Sequence, residues 1–134
     1  MVTPGTQIGF LTAVDLNKDG KLDLVLEDGP VTVLLGKGDG TFQPPVKYTL
    51  LGSASTAAVI GDFNLDGKLD VAVGTANNGV GIFFGDGTGK LSATPTFFRT
   101  GGGVGSLVTG DFNADGKPDL AVQSNIGVVI LLHQ

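Results

Sequence analysis

Nine of the chain's 13 acidic residues fall in three short strings that alternate oxygen-bearing side chains with other residue types. The strings are Asp15-Leu16-Asn17-Lys18-Asp19-Gly20-Lys21-Leu22-Asp23, Asp62-Phe63-Asn64-Leu65-Asp66-Gly67-Lys68-Leu69-Asp70 and Asp111-Phe112-Asn113-Ala114-Asp115-Gly116-Lys117-Pro118-Asp119. Packing like charge this closely costs stability unless a cation offsets it. Calcium takes six to eight hard oxygen ligands. Each string offers oxygens at alternate positions: side chains at one, three and five, a backbone carbonyl at seven and a carboxylate at nine. The expected ligands are therefore Asp15, Asn17, Asp19, the carbonyl of Lys21 and Asp23 in the first string. They are Asp62, Asn64, Asp66, the carbonyl of Lys68 and Asp70 in the second, and Asp111, Asn113, Asp115, the carbonyl of Lys117 and Asp119 in the third. Gly20, Gly67 and Gly116 at position six permit the bend that wraps such a loop around an ion. The expectation is one Ca2+ per repeat, three per chain.

An EF-hand would need a bidentate Glu at position twelve and a helix on each side. Position twelve holds Leu26, Val73 and Val122, all in β-like apolar patterns, so each loop joins two strands. An ordinary hairpin turn needs one Asp or Asn and a Gly. It gives no reason for a further Asp three residues after the Gly in all three copies.

The elements that must position these loops repeat with them, at a period of roughly 40–50 residues. In the second unit the strands expected are 56–60, 69–73, 80–84 and a weaker one toward Phe97-Phe98. Leu69, Val71 and Val73 alternate with Asp70, Ala72 and Gly74, the period of a strand. The first unit gives Phe10–Val14, Leu22–Glu27, Val31–Leu35 and Thr41–Leu50; the third gives Leu107–Thr109, Asp119–Gln123 and Val128–Leu132. A second string, Leu34 to Phe42, recurs as Phe83 to Leu91, and the third copy stops after Leu131-Leu132. Units of four antiparallel strands at this spacing are the pattern of β-propeller blades. A duplicated β-sandwich is the competing architecture. The reading is an all-β chain of about three blades in one segment, 1–134, with units at 6–52, 53–101 and 102–134, the last lacking its outer strand. Pro118 is expected at a strand's start or edge, because it has no N–H to give a ladder. Phe97 and Phe98 cannot both point inward from one strand.

Composition narrows the function. The 134 residues include 23 Gly and no Cys or Trp, and the net charge is −5. An acidic chain is a poor fit to nucleic acid, which wants a Lys/Arg stripe. No apolar stretch approaches the roughly 20 residues that span a bilayer, and Met1-Val2-Thr3-Pro4 carries no secretory signal. The lack of Cys excludes disulfides and thiol chemistry. His133 is the one histidine, so nucleophile–base pairs are scarce, and no enzyme is expected. Thr100-Gly101-Gly102-Gly103-Val104-Gly105 lacks the Gly-Lys-Ser/Thr ending of a phosphate loop and reads as a connector, like Gly52-Ser53-Ala54-Ser55 one repeat earlier.

The run Gly61-Asp62-Phe63-Asn64-Leu65-Asp66-Gly67-Lys68-Leu69-Asp70-Val71-Ala72-Val73, with the Leu34 to Phe42 string, resembles the FG-GAP/VCBS repeats of calcium-binding β-propellers. Integrin α-subunit heads, some fungal lectins and many secreted bacterial proteins are similar. The resemblance implies one calcium per blade, on the loop between the first two strands, and an extracellular or cell-surface setting. Leu16 departs from Phe63 and Phe112, and Pro118 from Leu22 and Leu69, without touching a proposed ligand. Such families close rings of about four to eight blades. Fewer than three complete blades cannot close one, and open ends expose apolar faces and strand edges. Val2-Thr3 aligns with Thr49-Leu50, near the end of an outer strand. The expectation is therefore a self-assembling propeller fragment, natural or engineered, with a homo-oligomer completing the ring and a dimer of six blades favoured. Its role is that of a non-catalytic scaffold or adhesion module with a protein or glycan ligand. The alternative is a lectin-like or accessory domain of a secreted polysaccharide-processing enzyme.

Overall fold

The computed structural model describes residues 8–50, 55–77 and 79–133. Val2-Thr3, the connector at Gly52-Ser53-Ala54 and Asn78 lie outside these residues. The described residues form eleven strands and no helix, in three antiparallel sheets. The first sheet is β1 (Leu11–Val14), β2 (Asp23–Glu27), β3 (Val31–Leu34) and β4 (Val46–Tyr48), side by side in chain order. The second repeats it with β5 (Ser55–Gly61), β6 (Asp70–Thr75), β7 (Gly79–Phe83) and β8 (Thr96–Arg99). The third has β9 (Val104–Gly110), β10 (Asp119–Ser124) and β11 (Gly127–Leu131). Each is a meander in which strands consecutive in the chain are neighbours in the sheet.

Register carries the repeat into three dimensions. Leu24 pairs with Ala13 and Leu34; Val71 pairs with Ile60 and Phe83; Leu120 pairs with Thr109 and Leu131. Because side chains alternate across a strand, these pairs fix which residues share a face. Two apolar cores result. Val25, Val31, Val33 and Tyr48 of the first sheet pack with Val71, Val73 and Phe83 of the second. Ala72, Val80 and Ile82, on the second sheet's other face, pack with Leu107, Leu120 and Val122 of the third. The second sheet is thus covered on both sides, and every described side chain of β6 and β7 is buried. The third sheet meets it chiefly through β9 against β5 and β6, so the first strands lie together.

The fourth strand differs from the run expected at Thr41–Leu50. Only Val46–Tyr48 is strand, preceded by an isolated bridge between Gly36 and Phe42. Pro44 and Pro45 stand between the two. Neither has an N–H to continue the ladder. Pro118 lies immediately before β10. Phe98 is exposed and Phe97 half-buried, as their alternation on β8 requires.

Candidate metal-binding loops

The three acidic strings form the connections β1–β2, β5–β6 and β9–β10, all at the same end of their sheets. Each closes by the same hydrogen bonds. In the first, the Asp19 N–H donates to Asp15 Oδ1 at 3.0 Å and to Asn17 Oδ1 at 3.1 Å. The Gly20 N–H donates to Asp15 Oδ2 at 2.8 Å, and the Lys21 N–H to Asp19 Oδ1 at 3.0 Å. Asp62, Asn64 and Asp66 accept the corresponding bonds in the second loop. Asp111, Asn113 and Asp115 do so in the third. Position six is left-handed, as its Gly allows, but position four is too: φ is 58° at Lys18, 60° at Leu65 and 60° at Ala114. A left-handed conformation costs a residue with a Cβ roughly 1–2 kcal/mol. Here it recurs in all three loops, at residues of unrelated chemistry.

Position nine behaves differently. Asp23, Asp70 and Asp119 are buried beneath their loops. Asp23 Oδ2 accepts the Leu16 N–H at 2.9 Å and its Oδ1 the Gly36 N–H at 2.8 Å. Asp70 does the same for Phe63 and Gly85, and Asp119 for Phe112 and His133, at the same distances. One carboxylate thus ties the start of the loop to the second residue beyond the third strand. Gly36 and Gly85 fit there because a Cβ at either would fall on the carbonyl oxygen of Leu22 or Leu69. His133 takes the equivalent place in the third unit, and its Nδ1 is buried without a hydrogen-bond partner among the described residues.

Charge around the loops is modulated by their own lysines. Lys21 Nζ lies 3.3 Å from Asp19 Oδ2, and Lys68 Nζ 3.2 Å from Asp66 Oδ2. The Lys21 amide, with its ammonium, holds Asp19 below the usual carboxylate range, and the Lys117 amide does the same for Asp115. Burial pushes Asp70 up, against the Gly85 and Phe63 amides that stabilise its charge. Lys18 Nζ reaches across to the Gly67 carbonyl at 2.6 Å, linking the first two loops.

The donor chemistry suits a hard cation: carboxylate, amide and carbonyl oxygens, with no nitrogen or sulfur among the expected ligands. Positions one and three are brought together, since the oxygens of Asp15 and Asn17 share one amide. Among the described residues, however, no three acidic or histidine side chains converge as a metal-holding group. The carboxylates are turned to the amides of their own loops, and position nine is directed to the strands below. A carboxylate oxygen that accepts one N–H still has a lone pair to offer.

A cavity of about 630 Å³ opens beside the third loop, between Phe63, Ile82, Phe98, Pro118, Leu120 and His133. At the junction of the first two sheets the matching residues are Leu16, Val33 and Tyr48, and there Leu91 fills the space, its N–H bound to the Tyr48 hydroxyl at 2.9 Å.

No curated protein matches the chain. The family model for the FG-GAP-like repeat matches residues 15–73 and again 62–122, each span running from one acidic loop through the next. Repeats of this type are propeller-like and typically occur in extracellular proteins. With its three loops, three sheets and two overlapping matches, the chain belongs to the FG-GAP-like repeat family.

Proposed function

We propose that this chain is a calcium-binding, non-catalytic propeller module that serves outside the cell or at its surface as a scaffold or adhesion element. The observation that carries the reading is the threefold recurrence of one loop, with the same oxygens, amide contacts and left-handed fourth residue. Asp15, Asn17, Asp19, the Lys21 carbonyl and Asp23 would hold the ion in the first loop, with their counterparts in the other two. The ion would offset the clustered negative charge and fix each loop between its strands. Metal that binds the folded state alone stabilises it by about 2.7 kcal/mol at a hundredfold excess over Kd. A non-catalytic role is in keeping with a sequence that has one histidine, His133, and no cysteine.

Thermal unfolding in millimolar calcium and in chelator tests the reading, with Asp66→Ala as the probe. Asp66 is exposed, and its contacts stay within the loop and Lys68. The expected result is a lower Tm for the variant in calcium and nearly the same Tm as the parent in chelator. Equal losses in both, or a parent whose Tm ignores calcium, would overturn it.

A further inference from the structure

The first two loops carry a cation of their own. Asp66, the expected ligand at position five, has both carboxylate oxygens engaged by one residue. Its Oδ1 accepts the Lys68 N–H at 3.0 Å, and its Oδ2 faces the Lys68 ammonium at 3.2 Å. Lys21 holds Asp19 in the same way, at 3.0 Å and 3.3 Å. In the third loop Asp115 Oδ2 accepts the Asn113 side-chain amide at 3.1 Å instead.

A surface lysine ordinarily samples many rotamers, and an exposed ion pair contributes little for that reason. These two lysines are seated. Each stem crosses to the connection after the third strand and lies on a glycine there, Lys21 on Gly38 and Lys68 on Gly87. Both glycines are left-handed, with φ at 83°. A Cβ at Gly38 would stand 3.1 Å from Lys21 Cδ, and one at Gly87 3.2 Å from Lys68 Cδ, closer than side chains ordinarily pack. The bare backbone thus makes a place for the stem, and the ammonium is kept beside the carboxylate. The seat recurs although the segments that supply it differ in sequence, Lys37-Gly38-Asp39 against Asp86-Gly87-Thr88.

We propose, in an inference that rests on the calcium reading, that Lys21 and Lys68 are resident counter-ions that set the calcium affinity of their loops. Each ammonium holds the position-five carboxylate while the loop is without an ion. When calcium binds, two cations share that carboxylate and repel each other at short range. The seated stem keeps the ammonium from withdrawing. Charge count among the ligands tunes calcium affinity, and a fixed ammonium offsets part of that charge. The first two loops therefore bind calcium more weakly than their oxygens alone would allow, and stay closed without it.

Calorimetric titration of calcium chloride into the whole chain, at low and high salt, tests this. Lys21→Met/Lys68→Met removes both ammonium groups and keeps the bulk of the stems. Its calcium affinity in these loops should rise about two- to fivefold, the scale of an exposed charge pair. The gain should shrink at high salt, where charges are screened. Its Tm should fall slightly in chelator and gain more from calcium than the parent's does. Lys21→Arg/Lys68→Arg keeps the charge and should bind as the parent binds. Lys47→Met/Arg99→Met takes the same charge from β4 and β8 and should not tighten binding. Unchanged or weaker binding by Lys21→Met/Lys68→Met, or equal tightening by Lys47→Met/Arg99→Met, would overturn the proposal and leave the calcium reading standing. A parent that takes up no calcium would overturn both.

Discussion

The second and third sheets are built from the same repeat and meet different surroundings. In the second, Phe63 closes over Ala72, Val80 and Ile82, and the third sheet covers them all. In the third, Phe112 takes the same pose over the same kind of row and faces outward. The hydrophobic pattern is nearly identical, so burial here is a property of the neighbour and not of the strand. That is the logic of a repeat array, in which each unit's stability is its own plus that of the interfaces it shares. A mutation should therefore be judged by the joint it belongs to.

The comparison is tested most strongly at its two phenylalanines. Phe63→Ala should cost about 3–5 kcal/mol, the usual loss for a buried aromatic. Phe112→Ala should stay within about 0.5 kcal/mol, as surface substitutions do. Urea unfolding reads both, and equal losses would break the distinction. Next come the buried carboxylates. Asp70→Ala in chelator leaves the Phe63 and Gly85 amides without their acceptor, at about 1–3 kcal/mol for each orphaned group. Asp119→Ala should cost less, because Phe112 lies open and water can replace the lost acceptor. The smallest effect concerns pH at Asp28, in the turn between β2 and β3. Lys47 and Thr32 hold Asp28 below its ordinary value of 3.8. The folded state thus binds a proton less readily than the unfolded chain. Its stabilisation is present above pH 3.8 and is lost as pH falls through the lower folded value. Asp28→Asn should remove that acid-side loss from a pH series of urea midpoints. The effect is modest because Lys47 is about half exposed.

Much of this was legible in the residues. Three copies of one string located the loops between first and second strands, and alternation located β2, β6 and β10. The shorter fourth strand followed from chemistry the pattern did not weigh, the adjacent Pro44 and Pro45. Position nine was harder. In sequence, Asp23 is one more acidic residue in an acidic string. In space it falls within β2, on the same face as Val25, and ties down amides from two other segments. The signal lay in that register, since an Asp two residues before a core Val shares the Val's face. The constraint on Gly36 and Gly85 was invisible locally, because the carbonyls they approach belong to Leu22 and Leu69 on another strand's approach.

Tyr48 joins the first sheet to the second, its ring 6.1 Å from that of Phe83 and its hydroxyl holding the Leu91 amide. It is the chain's one tyrosine, and there is no tryptophan. Tyrosine emission therefore reports on that junction alone, while circular dichroism averages over all the strands. A fluorescence transition that parts from the dichroism transition would time the separation of the first sheet from the rest, without any label.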